Sequence, residues 1–336
     1  MTVVGPFGLS VRDQALEADV QAGLAAVESG LLDATKSEVP FITEAAQHLV
    51  RAGGKRFRPL LVMLAAQFGD PDASGVVPSA VVVELTHLAT LYHDDVMDEA
   101  EVRRGVPSAN ARWGNSLAVL TGDFLFARAS HILADLGPEA VRIQAEAFER
   151  LVTGQILETA GPRDGRDPVE HYLDVLRGKT GSLVAVSCRF GAMMSGADER
   201  ITDVLTQYGE RLGVAFQLAD DVLDIASDFH ESGKTPGTDL REGVATLPVL
   251  RLREQAAAHG RREDLELVEL LSGDLTDDGR HAEALARLRA HSALAQARRD
   301  TVRSAQEARA KLTALPECTA RAALEELCDA VVHRAG

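Results

Sequence analysis

His93-Asp94-Asp95-Val96-Met97-Asp98 closes the mostly apolar line Leu85 to His93, and Asp220-Asp221-Val222-Leu223-Asp224 closes a similar line, Val214 to Ala219. Both lines carry apolar residues at helical spacing, so the first and last Asp of each motif lie four residues apart on one helix face. Three like charges on little more than one turn repel one another, and neither motif contains Lys or Arg, so the neutralising charge must come from outside it. Mg²⁺ is the natural candidate, because it takes oxygen ligands, keeps several waters and is typically held by one or two carboxylates plus the phosphates of a substrate. Two such claws can clamp a diphosphate through bridging ions. A single Asp cluster reads equally well as a solvated helix face. A repeated one, each copy ending a core-facing segment, does not.

The rest of the chain supports an all-α reading. Helical periodicity runs through Phe57 to Phe68, Val76 to His93, Leu117 to Leu136, Val169 to Phe190 and Ile201 to Ile225, while no Val/Ile/Thr run alternates as a strand. Gly, Pro, Asp and Ser cluster at Asp70 to Gly75, Arg103 to Pro107, Gly161 to Pro168 and Ser227 to Gly243, which mark the breaks. With 336 residues, 46% of them hydrophobic, and no compositional break, we expect one domain over 1–336. Its motif-bearing core is residues 40–250, followed by peripheral helices over 260–334.

A formal net charge of −16 argues against a nucleic-acid partner. Cys188, Cys318 and Cys328 form neither a disulfide framework nor a metal-binding spacing, which fits a cytoplasmic location. The first residues lack the basic start and apolar stretch of a signal peptide, and no segment is expected to approach a membrane span.

The positive charge is concentrated. In Gly53-Gly54-Lys55-Arg56-Phe57-Arg58-Pro59, two glycines and a helix-starting Pro let backbone and cationic side chains approach an anion. Arg103 and Arg104 follow Asp98 closely, and planar guanidinium groups suit phosphate oxygens. Lys179-Thr180 and Lys234-Thr235 each follow a Gly, and Gln217 lies one turn before Asp221. His87, two turns before Asp94, is by itself more readily a core histidine than a ligand contact.

GGKRFRP, DDVMD followed by RRG, GKTGSL, FQLADDVLD and GKTPGTDL, in that order, resemble the trans-isoprenyl diphosphate synthase (polyprenyl synthetase) family, and long-chain polyprenyl diphosphate synthases in particular. The resemblance implies a bundle of antiparallel helices around a deep central cavity, working as a homodimer. It implies that Asp94, Asp95, Asp98, Asp220, Asp221 and Asp224 hold three Mg²⁺ ions on an allylic diphosphate, which Arg103, Lys179, Thr180, Gln217 and Lys234 also contact. Lys55, Arg58, His87 and Arg104 would hold the diphosphate of isopentenyl diphosphate. Many members carry Lys after Gly in a GKxTLP segment, whereas here the residues are Gly243-Val244-Ala245-Thr246-Leu247-Pro248. That contact is then missing or supplied by Lys234 or Arg241.

A growing chain running back from the metals along the helix that ends in Asp94 meets Thr90 and Ala89 one turn deeper. Short-chain relatives resemble one another in placing an aromatic floor there, so small residues imply a product longer than fifteen carbons, as for a quinone side chain. The rivals are a short-chain synthase, a class I terpene cyclase, a squalene-type synthase, a regulatory subunit of a heteromeric synthase and a purely structural bundle. A cyclase has no need of a second claw or of GGKRFRP, and a regulatory subunit is expected to lose a claw. The loop Ser227 to Gly243 is the candidate lid over the reacting groups.

Overall fold

The computed structural model describes residues 13–227 and 236–335. Its helices are α1 (Gln14–Ala34), α2 (Pro40–Arg51), α3 (Phe57–Ala66), α4 (Val76–Met97), α5 (Ala109–Trp113), α6 (Asn115–Leu136), α7 (Pro138–Ala160) and α8 (Pro168–Leu176). A π-helical turn, Arg177–Gly181, leads into α9 (Ser182–Met194) and α10 (Glu199–Ala226). There follow α11 (Thr238–Arg241), α12 (Leu247–His259), α13 (Arg262–Leu271), α14 (Asp278–Ala290), α15 (Ser292–Leu312) and α16 (Thr319–Ala335). The all-α expectation is met, and the breaks expected at Asp70 to Gly75 and from Gly161 up to the start of α8 fall between helices, whereas the described part of Ser227 to Gly243 contains α11. One break, Arg103 to Pro107, contributes a small sheet that periodicity did not reveal: β1 (Val102–Arg103) pairs antiparallel with β2 (Val106–Pro107).

Local chemistry sets the starts. Asp13 accepts from the backbone N–H of Ala15 at 2.9 Å to cap α1, Asp167 accepts from that of Glu170 ahead of Pro168 to cap α8, and Asp277 does the same for α14 through Arg280.

By Cα proximity the chain divides into two compact units. One comprises residues up to Glu149 with Leu183–Gly209 and Lys311–Glu325. In it α4 is apolar nearly all round, with Val82, Val83, Leu85 and Leu88 fully buried, as befits a helix enclosed by α1, α3 and α6. The buried Tyr92 hydroxyl donates to the Ala45 carbonyl at 2.6 Å and accepts from the Leu49 N–H at 3.3 Å, pinning α2 to α4. At Gly191 the backbone of α9 runs so close to α3 that a Cβ there would lie 2.2 Å from the Val62 carbonyl oxygen.

The second unit comprises Arg150–Ser182, Glu210–Ala310 and the residues from Glu326. Here the helix expected over Val169 to Phe190 is interrupted by the π turn. Gly178 sits against Gly154 of α7, where a Cβ on Gly178 would lie 2.8 Å from the Arg150 carbonyl oxygen. The wide turn lets the two backbones meet without breaking the helix.

One helix has the length and composition of a membrane span, a combination that core helices of soluble proteins also show. Asn115–Leu136 is by length and composition apolar enough to cross a membrane, and only 28% of its most apolar window is buried. Leu117, Val119 and Leu120 are among its exposed residues.

Gly191→Ala should lower stability by about 1–3 kcal/mol, because the roughly 1 kcal/mol that Ala gains over Gly in an open helix is outweighed by overpacking against backbone. Chemical denaturation of both proteins checks this; equal or greater stability of the variant would refute the close approach.

Candidate active site

The first claw ends α4 and the second ends α10, as the sequence implied. The C-terminus of a helix carries partial negative charge from its last carbonyls, so both sites favour a cation even before the side chains are counted. Asp98 caps α4, its N–H bonded to the Asp94 carbonyl at 2.8 Å. Asp95 is fully buried and its Oδ1 accepts from Arg103 Nε at 2.6 Å, while its Oδ2 is buried with no hydrogen-bond partner. Burial raises the Asp95 carboxyl above its ordinary range; Arg103 opposes the rise and Asp98 adds to it.

Arg103 arrives through the β1–β2 turn. Arg104 and Gly105 both have positive φ, 54° and 76°, as a two-residue type I′ turn requires. The turn sends neighbouring arginines to different places. Arg103 meets Asp95, whereas Arg104 Nη1 donates to the carbonyls of Leu49, at 3.1 Å, and Gly53. Those hydrogen bonds offset the cost of holding a non-glycine residue in the left-handed region.

The GGKRFRP segment is a sharp bend: Gly53 and Gly54 have φ of 83° and 147°, and Arg56 has φ of 47°. Only glycine fits at Gly54, where a Cβ would lie 2.8 Å from the Arg104 Cζ. Arg56 points inward to Glu28 and to the buried Glu84, at 2.9 Å from the latter. Arg58 differs. Burial pushes its guanidinium down to about 10, with Glu84 opposing, and its Nε is buried with no hydrogen-bond partner. His87 is held well below its ordinary value by burial and by Arg58, Arg104, Arg103 and Arg56, so it is neutral near pH 7. Lys55 is exposed.

In the second claw each carboxylate has its own partner. Asp221 is buried, accepts from the Tyr172 hydroxyl and from Gln217 Nε2 at 3.0 Å, and is pushed up to about 6 by burial, against those hydrogen bonds. Thr180 Oγ1 donates to Gln217 Oε1 at 3.4 Å, so Thr180, Gln217 and Asp221 form one line. Asp224 accepts from the N–H groups of Thr238 and Asp239, both at 3.2 Å, docking the start of α11 on the claw. Asp220 pairs with Arg334 at 2.7 Å. Lys179 lies in the π turn and pairs with Glu158 at 2.6 Å. Lys234, and with it much of the expected lid, lies outside the described residues.

The structure thus gathers Asp94, Asp95, Asp98, Arg103, Arg104, Lys55, Arg58 and His87 within one unit, and Asp220, Asp221, Asp224, Lys179, Thr180 and Gln217 within the other. Among the described residues no three His, Cys, Asp or Glu side chains converge to hold a metal unaided. Mg²⁺ takes carboxylate, phosphate and water oxygens, and the unpartnered Asp95 Oδ2 is an oxygen of the right kind. Sequence reasoning missed Glu84, Arg56, Tyr172 and Arg334. Glu84 alone left a signal that could have found it, as a lone acid inside the apolar run Val81-Val82-Val83-Glu84-Leu85.

Residues 39–288 match the family model described as "Polyprenyl synthetase". The chain is 48% identical over 331 residues to a nonaprenyl diphosphate synthase of Mycobacterium tuberculosis, covering 98% of this chain and 97% of that one. Among solved structures it is similar to a geranylgeranyl pyrophosphate synthase from Corynebacterium glutamicum complexed with calcium and isoprenyl diphosphate, with TM-score 0.86, 45% identity and coverage of 96% and 98%. A decaprenyl diphosphate synthase from Rhodobacter capsulatus matches with TM-score 0.86, 34% identity and coverage of 96% and 99%.

Asp221 gives a pH test on metal-free protein. Its carboxyl is raised in the fold, so its contribution is fully present below the unfolded value near 4 and is lost as pH climbs through about 6. A rise of about two pH units is worth ~3 kcal/mol. With EDTA present, the stability of Asp221→Asn relative to the parent should therefore increase by roughly that amount between pH 4 and pH 8. A difference that stays flat across this range in parallel denaturation curves would refute the buried carboxyl.

Proposed function

The chain belongs to the polyprenyl synthetase family and is a prenyl-transferring enzyme, and from that premise we propose that it joins isopentenyl diphosphate head-to-tail to an allylic diphosphate, making a long-chain trans-polyprenyl diphosphate. One observation carries the reading furthest. A buried carboxylate oxygen, Asp95 Oδ2, and a buried guanidinium donor, Arg58 Nε, lack partners within the same unit. Such groups are costly to leave unsatisfied unless a ligand completes them. A cation beside an anionic substrate supplies both.

Asp94, Asp95, Asp98, Asp220, Asp221 and Asp224 would hold Mg²⁺, which would supply charge stabilisation for the departing diphosphate. Arg103, Lys179, Thr180, Gln217 and Lys234 are assigned to that same diphosphate, as donors where negative charge grows when the allylic C–O bond breaks. Lys55, Arg58, His87 and Arg104 are assigned to the acceptor's diphosphate and hold its alkene ready to attack the allylic carbocation. His87, being neutral, offers one N–H without adding charge to a cluster already crowded with guanidiniums. The proton lost after attack passes to the departing diphosphate. No nucleophilic side chain is needed, which accounts for motifs without a Ser/His/Asp or Cys/His set.

Thr90 and Ala89 are assigned to product length, and the structure distinguishes them. Ala89 is fully buried, with its backbone against Gly122 of α6, whereas Thr90 is partly exposed on the Asp94 side of α4. We assign a homodimer in the cytoplasm, supported by the apolar face that α6 exposes at Leu117, Val119 and Leu120, an area that a second copy would cover.

Lys55→Ala and Arg58→Ala should each raise KM for isopentenyl diphosphate by about tenfold or more, with less effect on the allylic primer, and Arg103→Ala should do the reverse. Steady-state kinetics with both substrates varied checks this; if all three variants affected only the primer, the division of basic residues would be wrong. Thr90→Phe should shorten the product to about fifteen or twenty carbons by placing a ring across the path of the chain. Ala89→Phe should instead cost about 1–3 kcal/mol of stability. Chromatography of the dephosphorylated products, with melting curves, separates the two; an unchanged product from Thr90→Phe would mean that the chain grows elsewhere.

A further inference from the structure

The positive charges of Arg58, Arg104, Arg103 and Arg56 all act on His87. They do not share one role. Arg103 is engaged by Asp95. Arg56 spends its fork on protein: Nε and Nη2 donate to Glu28, Nη2 to the Val50 carbonyl at 3.0 Å, and Nη1 to Glu84 at 2.9 Å. Arg104 is held by the Leu49 and Gly53 carbonyls, with its Nη2 3.9 Å from Glu84. Of the four, Arg58 is the one whose Nε is buried without a partner.

Glu84 stands at the centre of this arrangement. It is 1% exposed, lies on α4 nearly one turn before His87, and on its own would be an uncompensated buried charge. Its placement matters because Arg56 opens α3 in a left-handed conformation, which an arginine adopts only when its surroundings over-determine it. Glu84, with Glu28, supplies that determination. It also limits repulsion among cations that the bend brings together.

We propose that Glu84 is a positioning residue for the acceptor's diphosphate: by engaging Arg56 it turns that guanidinium into the protein and fixes the Gly53–Pro59 bend, so that Arg56 is withdrawn from the anion and Arg58 and Arg104 are left to it. Arg56, despite its place in GGKRFRP, is then a rivet of the bend and not a ligand. The inference rests on assigning Lys55 and Arg58 to isopentenyl diphosphate.

Two variants test it. Glu84→Gln keeps the shape and removes the charge, while Glu84→Asp keeps the charge on a shorter arm. Calorimetric titration of isopentenyl diphosphate into the full chain in EDTA, together with KM for both substrates, gives a readout independent of the metal. Glu84→Gln should weaken isopentenyl diphosphate binding by about tenfold and raise its KM in step, with KM for the primer and kcat at saturation changed less than about threefold, and Glu84→Asp should recover much of the loss. The sign discriminates. Were Glu84 merely a background negative charge, its removal would tighten binding of the anion; were it merely core, Glu84→Gln would lower Tm and leave binding unchanged. Either result overturns the proposal. The underlying assignment fails separately, through Lys55→Ala and Arg58→Ala acting on the primer, whereas a failure confined to Glu84 leaves that split intact.

Discussion

Taking an ionised group out of water costs several kcal/mol unless a counter-charge or hydrogen bonds replace the lost solvation, and the architecture of this chain is arranged around that cost. Asp95, Asp221 and Glu84 are all buried carboxylates, and each is met differently. Arg103 meets Asp95, a tyrosine and an amide meet Asp221, and a guanidinium fork meets Glu84. The helices carry these groups in and also exclude the water that would otherwise solvate them. Where solvation is left incomplete, at Asp95 Oδ2 and Arg58 Nε, a bound substrate has something to gain by completing it.

The two Asp motifs look interchangeable as strings, yet their surroundings give them different characters. The first is met by an arginine only a few residues further along the chain and sits beside the basic bend. The second is woven into its unit: Asp224 docks α11, Tyr172 and Gln217 steady Asp221, and Arg334 from the last helix reaches Asp220. A repeated pattern of charges therefore does not imply repeated mechanics. The identity of each carboxylate is set by what lies across from it.

Much of this was legible in the residues themselves. Apolar spacing located α3, α4, α6 and α10 to within a few residues, and the charged motifs marked where the chemistry belongs. The π turn was not legible, because it arises from Gly178 meeting Gly154, a contact between segments that no local period encodes. The β1–β2 pair escaped for the opposite reason: its signal is Arg104-Gly105, and an arginine is an unusual residue for a turn demanding positive φ. Likewise Arg56 and Arg58, two residues apart in one basic string, read as equivalent cations. Only the backbone shows that one is turned to Glu28 and Glu84 and that the other keeps a buried donor unmet.

The β1–β2 turn pairs just Val102 with Pro107 and Arg103 with Val106, and within it Arg103 and Arg104 part company, one toward a carboxylate and one toward the carbonyls that shape the basic bend. Strand residues alternate sides, so adding or losing a single residue here would reverse which arginine faces which way. Loop length is thus as much a part of this enzyme's chemical identity as any side chain: a sequence can keep both arginines, and every acid they serve, and still misroute its charge through an insertion of one.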